Sequence, residues 1–144
     1  VGAWAEVESA CLVVDAGTAI TIDAIDDDGK HLGGQIIAGV ATMATALAAS
    51  TSDIPNVRVS SSRAGSGLDI FASSTAAAVR EGAHNAVAGA VDRAIRVLQS
   101  NAYSPTVILT GGDSSRILSA LCETPLHRPH LVLQGLAHML EHAR

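Results

Sequence analysis

The sequence predicts an α/β fold with a mixed sheet of five strands and flanking helices. Three short apolar segments separated by turn residues open the chain, which is typical of consecutive β-strands. A long alanine-rich segment follows, with apolar residues every four positions, as expected of a buried helix. Two strand-like segments that each lead into a helical pattern close the chain. The predicted order is in outline β-β-β-α-β-α-β-α.

Composition excludes several classes of protein. The chain has 144 residues, the size of one domain, and a formal charge of −5 with a single lysine, Lys30. Few basic and only 2% aromatic residues argue against a nucleic-acid partner. Charged residues or glycine interrupt every apolar run before the roughly 20 residues that a membrane span needs, and no signal peptide is visible. The isolated Cys11 and Cys122 favour a reduced, cytoplasmic setting.

The first three strands are predicted from local pattern. Residues 11–17 form an apolar run closed by glycine, as in a buried strand. Residues 19–25 alternate apolar and polar side chains, as a half-buried strand requires. The aspartate- and glycine-rich segment 26–30 is a turn, and 31–39 is a third strand, which its paired glycines weaken or bulge.

The middle of the chain is predicted to hold two helices and a long loop. Residues 40–50 are good helix formers, whereas 51–70 are serine-rich and form a surface loop with a short strand at 57–59. The long helix begins at Ser74 or Thr75 and ends at Gln99. Its apolar stripe consists of Val79, Ala83, Val87, Val91 and Ile95.

The remaining elements alternate between strand and helix. Residues 106–113 are a buried strand that runs into a glycine turn, and Ser114 or Ser115 is expected to cap the helix that follows. Residues 130–136 are predicted to be a short strand or a strand-to-helix passage, and 137–144 a terminal helix.

Two glycine turns are candidate ligand sites. In the first, Asp15 is followed by Gly17 and Thr18 between two strands, so backbone amides could cradle phosphate oxygens while the carboxylate holds a cation. In the second, Gly111 and Gly112 follow a buried strand and open a helix, a common ligand position in α/β domains. The simpler alternatives are an ordinary hairpin and a corner that needs a positive φ.

Five motifs in order resemble the second half of the type III pantothenate kinases, members of the sugar kinase, actin and heat-shock-70 ATPase superfamily. The motifs are VVDAGTAITID, GGQIIAGVATM, STAAAVREG, LTGGD and PHLVLQGL. The resemblance implies a ribonuclease H-like (actin-like ATPase) domain over residues 1–144, the C-terminal half of a two-domain kinase whose N-terminal domain is absent from this chain. It also implies a cytoplasmic enzyme that phosphorylates pantothenate to 4′-phosphopantothenate in the first step of coenzyme A biosynthesis.

The resemblance assigns roles in nucleotide and cation binding. Asp15 matches an aspartate that binds a monovalent cation, K⁺ or NH₄⁺. Gly17 and Thr18 match the second phosphate loop, which contacts ATP, and Gly111 and Gly112 match glycines near the nucleotide. The implied cofactors are ATP, Mg²⁺ or a similar divalent ion, and the monovalent cation.

The resemblance also implies which residues contact the substrate and which helix forms the dimer interface. Thr75 matches a threonine that contacts pantothenate, although a plain helix cap is the simpler interpretation of this residue. Gly33 and Gly34 match paired glycines near the pantothenate pocket. The long helix, 75–98, matches the element around which family members form homodimers.

The chain also departs from the family pattern. Ala38 stands where proline is usual, and Ala72 and Ser74 stand where glycine and asparagine are common. The first phosphate loop and the general-base aspartate are expected upstream of Val1. No catalytic residue is therefore expected in this chain, and the fragment alone should be inactive.

Other candidates are weaker. Asp23 shares a strand face with Thr21 and is a secondary candidate for the cation or phosphate side. His138 and His142 are interpreted as a solvated helix end, and residues 26–28 as a charged turn. Two rival functions stay open: a related kinase with another small acceptor, and a non-catalytic dimerisation or regulatory module of the same fold.

Overall fold

A mixed sheet of five strands lies at the centre of the computed structural model, which describes residues 1–58 and 70–141. The strands are β1 Cys11–Ala16, β2 Ala19–Ile25, β3 His31–Ala38, β4 Thr106–Thr110 and β5 Leu126–His127. Their order in the sheet is β3-β2-β1-β4-β5. β2 is antiparallel to both neighbours, whereas β1, β4 and β5 are parallel. The predicted mixed five-stranded α/β sheet is confirmed.

Helices cover both faces of the sheet. They are α1 Gly2–Val7, α2 Val40–Ser50, α3 Thr75–Ser100, α4 Ser114–Ile117 and α5 Leu131–Glu141, with a 3₁₀ turn at Leu118–Ala120. The predicted long helix is confirmed as α3. The six residues of α1 were not predicted, because one and a half turns are too short to establish a helical repeat.

Of the two alternatives predicted for residues 130–136, a short strand or a strand-to-helix passage, the strand is wrong. Residues 131–136 belong to α5, and the fifth strand is the two-residue β5, which pairs with Ile108 and Leu109 of β4. Leu131 and Gly135 are the buried residues of α5, and their spacing of four is helical. The apolar run LVLQGL fits a strand as well as a helix, so only packing against α1 distinguishes the two.

The predicted serine cap of α4 is also wrong. Asp113 occupies the N-cap position, without a side-chain capping bond. The hydroxyl of Ser114 instead shares a 2.8 Å hydrogen bond with Nε2 of His127. A long-range partner on β5 has therefore displaced the local cap.

Part of the loop predicted at 51–70 lies outside the described residues, as does the end of the short strand predicted at 57–59. Residues 51–58 contain no helix or strand. His142 also falls outside the described part of the chain, so its position is not compared with that of His138.

The main hydrophobic core fills the space between the sheet and the pair α2 and α3. Alternate residues of β1, β2 and β4 point to this face, as the period of two dictates. They meet the predicted stripe of α3, in which Val87 and Val91 are fully buried. The other face carries a smaller cluster beneath α1 and α5, formed by Ala3, Cys11, Ile108 and Leu131.

Two of the predictions from composition concern the cysteines and membrane-spanning segments. Cys11 and Cys122 are both free thiols, and burial raises the pKa of the Cys11 thiol. Among residues 1–58 and 70–141, no helix is both long and apolar enough to cross a lipid bilayer. α3 has 26 residues, but charged side chains interrupt it.

Leu109→Ala tests the position of the core. The Leu109 side chain is 0% exposed, so the change should lower the free energy of unfolding by about 2–5 kcal/mol. The matched change Leu133→Ala, at a side chain that is 65% exposed, should stay within about 0.5 kcal/mol. Urea unfolding followed by circular dichroism measures both, and equal losses would contradict this assignment of the core.

Candidate functional site

The hairpin that joins β1 to β2 is anchored onto the start of α2. Its two connecting residues are Gly17 and Thr18, as predicted. The carbonyl oxygen of Thr18 accepts hydrogen bonds from the Gly39 amide at 2.9 Å and from the Thr42 hydroxyl at 2.8 Å. The Gly17 amide donates to the carbonyl of Ala19 at 3.0 Å. That amide is therefore engaged within the hairpin, whereas the Thr18 side chain is exposed at its tip.

The second glycine turn lies directly against the first. β4 runs parallel to β1 in a register that places Thr110 beside Asp15. Gly111 has φ +95°, and a side chain there would collide with the Asp15 carboxylate and the Ala16 carbonyl. The Asp113 amide donates to the same Ala16 carbonyl at 2.8 Å. Tertiary pairing thus brings Asp15, Gly17 and Gly111 to one edge of the sheet.

A groove of about 380 Å³ opens on the face of the sheet opposite α3. Its floor includes the side chains of Asp15, Thr21, Asp23 and Thr110, which are oxygen donors on three adjacent strands. Residues of α5 form one wall. The described residues that line the groove include two carboxylates but no lysine or arginine, so the floor suits a cation.

A second hollow, of about 440 Å³, lies on the α2 side of the hairpin tip. Thr18, Thr42, Thr45 and Asp113 supply its polar groups, and alanines of α2 supply the rest. Asp113 also forms an ion pair with Arg116 at 3.0 Å. The tip that carries Thr18 therefore separates an acidic groove from a hollow with hydroxyl-bearing walls.

Asp23 lies in the acidic groove together with Asp15. The two carboxylates point to the same face, since Asp15 pairs with Thr21 and Asp23 follows two residues later on β2. Asp23 Oδ1 lies 2.9 Å from Nε2 of His31, and both side chains are partly exposed. The structure thus places this secondary candidate near the main one, with a hydrogen-bond partner of its own, His31.

The predicted substrate residues fall into two separate places. Gly33 and Gly34 line a small hollow with Arg93 and Val97, near the carboxyl end of α3. Thr75 is the first residue of α3 and lies 18 residues before Arg93, a separation of about 27 Å along the helix. Within one copy of this chain, Thr75 and the paired glycines do not share a pocket.

β3 contains a bulge, and Thr75 follows the N-cap residue of α3. The register of β2 and β3 shifts at Ala24 and Ile25, and Gly33 has φ +137°, so the expected bulge is confirmed. Ser74, rather than Thr75, is the N-cap of α3, and its hydroxyl accepts from the Ala77 amide at 3.4 Å.

Sequence reasoning missed several residues of the site. Thr110 precedes the glycine turn, but only the parallel pairing with β1 brings it beside Asp15. Thr42 and Thr45 are three residues apart on α2, so helical periodicity alone places them on one face. Their relation to Thr18 depends on how α2 packs, which no local pattern indicates.

The fold is that of an α/β domain with an oxygen-rich groove at the carboxyl ends of its parallel strands, where α/β domains commonly bind ligands. Residues 1–97 match the sequence model of the type III pantothenate kinases. The chain belongs to the type III pantothenate kinase family, as its motifs indicated.

Individual relatives agree with this assignment. The chain is 35% identical to the type III pantothenate kinase of Halorhodospira halophila, over 99% of this chain and 54% of the relative. It is 37% identical to that of Rhodopirellula baltica, over 91% of this chain and 48% of the relative. The chain therefore spans about half the length of the curated relatives that it matches.

A solved structure is also similar. It is a conserved Campylobacter jejuni protein assigned to the Baf family of transcriptional activators, with a TM-score of 0.68 and 25% sequence identity. The match covers 99% of this chain and 62% of that one.

Gly111→Ala tests the contact between the two turns. A β-carbon at φ +95° would also meet Asp15 and Ala16, so the free energy of unfolding should fall by about 1–3 kcal/mol. Gly112→Ala is the matched control because nothing lies within 4 Å of the place that its β-carbon would take, and its effect should stay within about 0.5 kcal/mol. Denaturant unfolding of both variants decides the matter, and a neutral Gly111→Ala would contradict the close approach.

Proposed function

We propose that this chain is the C-terminal half of a type III pantothenate kinase, which transfers the γ-phosphate of ATP to the hydroxyl of pantothenate. The product is 4′-phosphopantothenate, and the reaction is the first step of coenzyme A biosynthesis. The observation that carries the proposal is the meeting of Asp15, Thr18 and the Gly111 turn at one sheet edge. The choice of pantothenate as the phosphate acceptor rests on membership of the type III pantothenate kinase family.

The domain is proposed to be ribonuclease H-like, as in the actin-like ATPases, over residues 1–144. The strand order β3-β2-β1-β4-β5, with β2 antiparallel to both of its neighbours, supports this topology. In a two-domain kinase it would be the C-terminal domain. A cytoplasmic location agrees with the two free thiols and with a metabolic enzyme family.

ATP is proposed to bind at the hairpin tip, through Gly17, Thr18, Gly111 and Gly112. The 440 Å³ hollow beside Thr18 has the size of a small-molecule pocket. Its threonine hydroxyls and the Asp113 carboxylate offer hydrogen-bond partners for a ribose or a base. Open space at Gly112 leaves the backbone accessible to a ligand.

Cations are proposed to bind on the groove side of the tip. Asp15, with the hydroxyls of Thr21 and Thr110 nearby, is an oxygen donor set that suits a monovalent K⁺ or NH₄⁺ and, through ATP, Mg²⁺. A bound cation supplies the positive charge that phosphate oxygens need in a groove floored by carboxylates. Asp15 holds that charge in place, and the hairpin fixes the position of Asp15.

The catalytic base is proposed to come from the half of the enzyme that this chain does not match. Phosphoryl transfer depends on positioning and charge neutralisation, so this chain contributes the nucleotide and cation side and should be inactive alone. Thr75, Gly33 and Gly34 are proposed to contact pantothenate.

A homodimer would reconcile the positions of these substrate residues. In a two-fold dimer with antiparallel α3 helices, the amino end of one helix lies beside the carboxyl end of the other. Thr75 of one copy would then approach the hollow that Gly33 and Gly34 line in its partner. The exposed face of α3 is smooth enough for close helix packing. It includes Ala78, Gly82, Ala86 and Gly89.

One observation favours a second candidate function. The similar Campylobacter jejuni structure is assigned to a family of transcriptional activators, which fits a non-catalytic regulatory module of the same fold. Absence of ATP binding by the complete protein would favour that alternative. A third candidate is a related kinase with another small acceptor. Assays of phosphate transfer to a panel of small alcohols would distinguish it from a pantothenate kinase.

Asp15→Asn tests the cation and phosphate assignment. In a chimera that joins this chain to the unmatched half of the Halorhodospira halophila enzyme, potassium-dependent pantothenate phosphorylation should fall about 100-fold, because the cation loses its charged ligand. Asp28→Asn makes the same chemical change in an exposed turn and should leave turnover unaffected. Coupled detection of ADP measures both variants, and equal activities would refute the role of Asp15.

Gly89→Glu tests the proposed dimer. A glutamate on the smooth face of α3 should weaken association at least about tenfold, because its long, charged side chain would hold the two helices apart where glycine allows a close approach. Ala49→Glu places the same side chain on an exposed position of α2 and should leave the dimer intact. Light scattering reports the mass, and a wild-type mass of 14.6 kDa at all concentrations would exclude a homodimer of this chain.

A further inference from the structure

The glycine turn after β4, residues 111–113, is held between two other strands of the sheet. On one side, the Asp113 amide donates to the Ala16 carbonyl at the end of β1 at 2.8 Å. On the other side, the hydroxyl of Ser114, the residue after the turn, shares a 2.8 Å hydrogen bond with Nε2 of His127. His127 is the last residue of β5, which runs parallel to β4. The turn is therefore attached to β1 through its backbone and to β5 through a side chain.

The Ser114 hydroxyl depends on this bond because it lies inside the domain. Ser114 is 3% exposed, and a buried hydroxyl that loses its partner is costly. His127 is half-buried, and its imidazole provides the partner from 13 residues further along the chain. A shift of the turn relative to β5 would break the bond, so the bond restricts where the turn can lie.

His127 is itself held in place by the residue that follows it. The Arg128 amide donates to the Leu109 carbonyl of β4 at 2.8 Å, and Nη1 of Arg128 donates to the His127 carbonyl at 3.0 Å. Nε of the same guanidinium donates to the Glu6 carboxylate of α1 at 2.6 Å. The imidazole is thus presented to Ser114 from a strand end that is tied to both β4 and α1.

A serine and a histidine at this distance could also act as a nucleophile and its base. The burial of Ser114 argues against that function, because a substrate could not reach a residue that is 3% exposed. The residues before Ser114 indicate a different role. Asp113 lines the 440 Å³ hollow together with Thr18, and the space around Gly112 is open. The position of Ser114 therefore sets the position of groups that face the hollow.

We propose that His127 is a positioning residue for the nucleotide, and that through Ser114 it holds the turn where Gly112 and Asp113 meet ATP. The inference rests on the proposed binding of ATP at the hairpin tip. His127 acts on the nucleotide side of the site alone, so its loss lowers the affinity for ATP and leaves the transfer step unchanged.

Nucleotide affinity and the kinetic constants test the proposal in the chimera that joins this chain to the unmatched half of the Halorhodospira halophila enzyme. Ser114→Ala and His127→Leu each remove the hydrogen bond, and each should weaken ADP binding and raise KM for ATP at least about fivefold. Both kcat at saturating ATP and KM for pantothenate should stay within about twofold. His130→Leu makes the same change at a nearby exposed histidine and should leave every constant unaffected.

Two further variants separate positioning from a general loss of stability. The double variant Ser114→Ala, His127→Leu should bind ADP no more weakly than either single variant, because both changes remove the same bond. His127→Gln keeps an amide near the place of Nε2 and should restore ADP affinity to within about twofold of the wild type. Calorimetric titration measures the affinity, and circular dichroism verifies that each variant is folded.

Unchanged ADP affinity in folded Ser114→Ala would overturn the proposal. Losses that multiply in the double variant would also overturn it, since they would show that the two residues act separately. A wild-type chimera that binds ADP, with the same losses in the variants, but does not phosphorylate pantothenate would uphold the role of His127 and refute the kinase assignment. A wild-type chimera that binds no ADP would refute both.

Discussion

The parallel pairing of β1 with β4 is the constraint on which the candidate site depends. It places Thr110 beside Asp15 and carries the Gly111 turn onto the end of β1, where a side chain would not fit. The same pairing is the centre of the sheet, with Val14 and Leu109 fully buried on the core face. Because a strand points alternate residues to opposite faces, one register serves the core and the site together.

The two faces of the sheet are unequally covered. The α2 and α3 side is a closed core, whereas the other side is covered only in part by α1 and α5, which leave a groove next to Asp15. Leu133 and Leu140 remain exposed on the outside of that cover. The chain spans about half the length of its curated relatives, and the exposed apolar residues of α5 lie beside the candidate site.

Local sequence patterns predicted most of the strands and helices correctly. They failed where a segment fits both the period of a strand and the period of a helix. The alternation of Ile20, Ile22 and Ala24 correctly indicated β2, and the four-residue repeat correctly indicated α3. The short strand predicted at 130–136 was wrong because a short apolar segment satisfies both periods. The hydroxyl of Ser114 was misassigned because its hydrogen-bond partner, His127, lies on β5, which is distant along the chain.

The sequence by itself determined the composition class, the family motifs and the local chemistry of Asp15, Gly17 and Thr18, because each depends on residues that are close along the chain. Only the tertiary structure decided that Gly111 packs on Asp15 and that Thr75 lies far from Gly33 and Gly34. It also decided that apolar side chains of α5 face outward. These are matters of strand register and helix rotation, which long-range packing sets and no local pattern encodes.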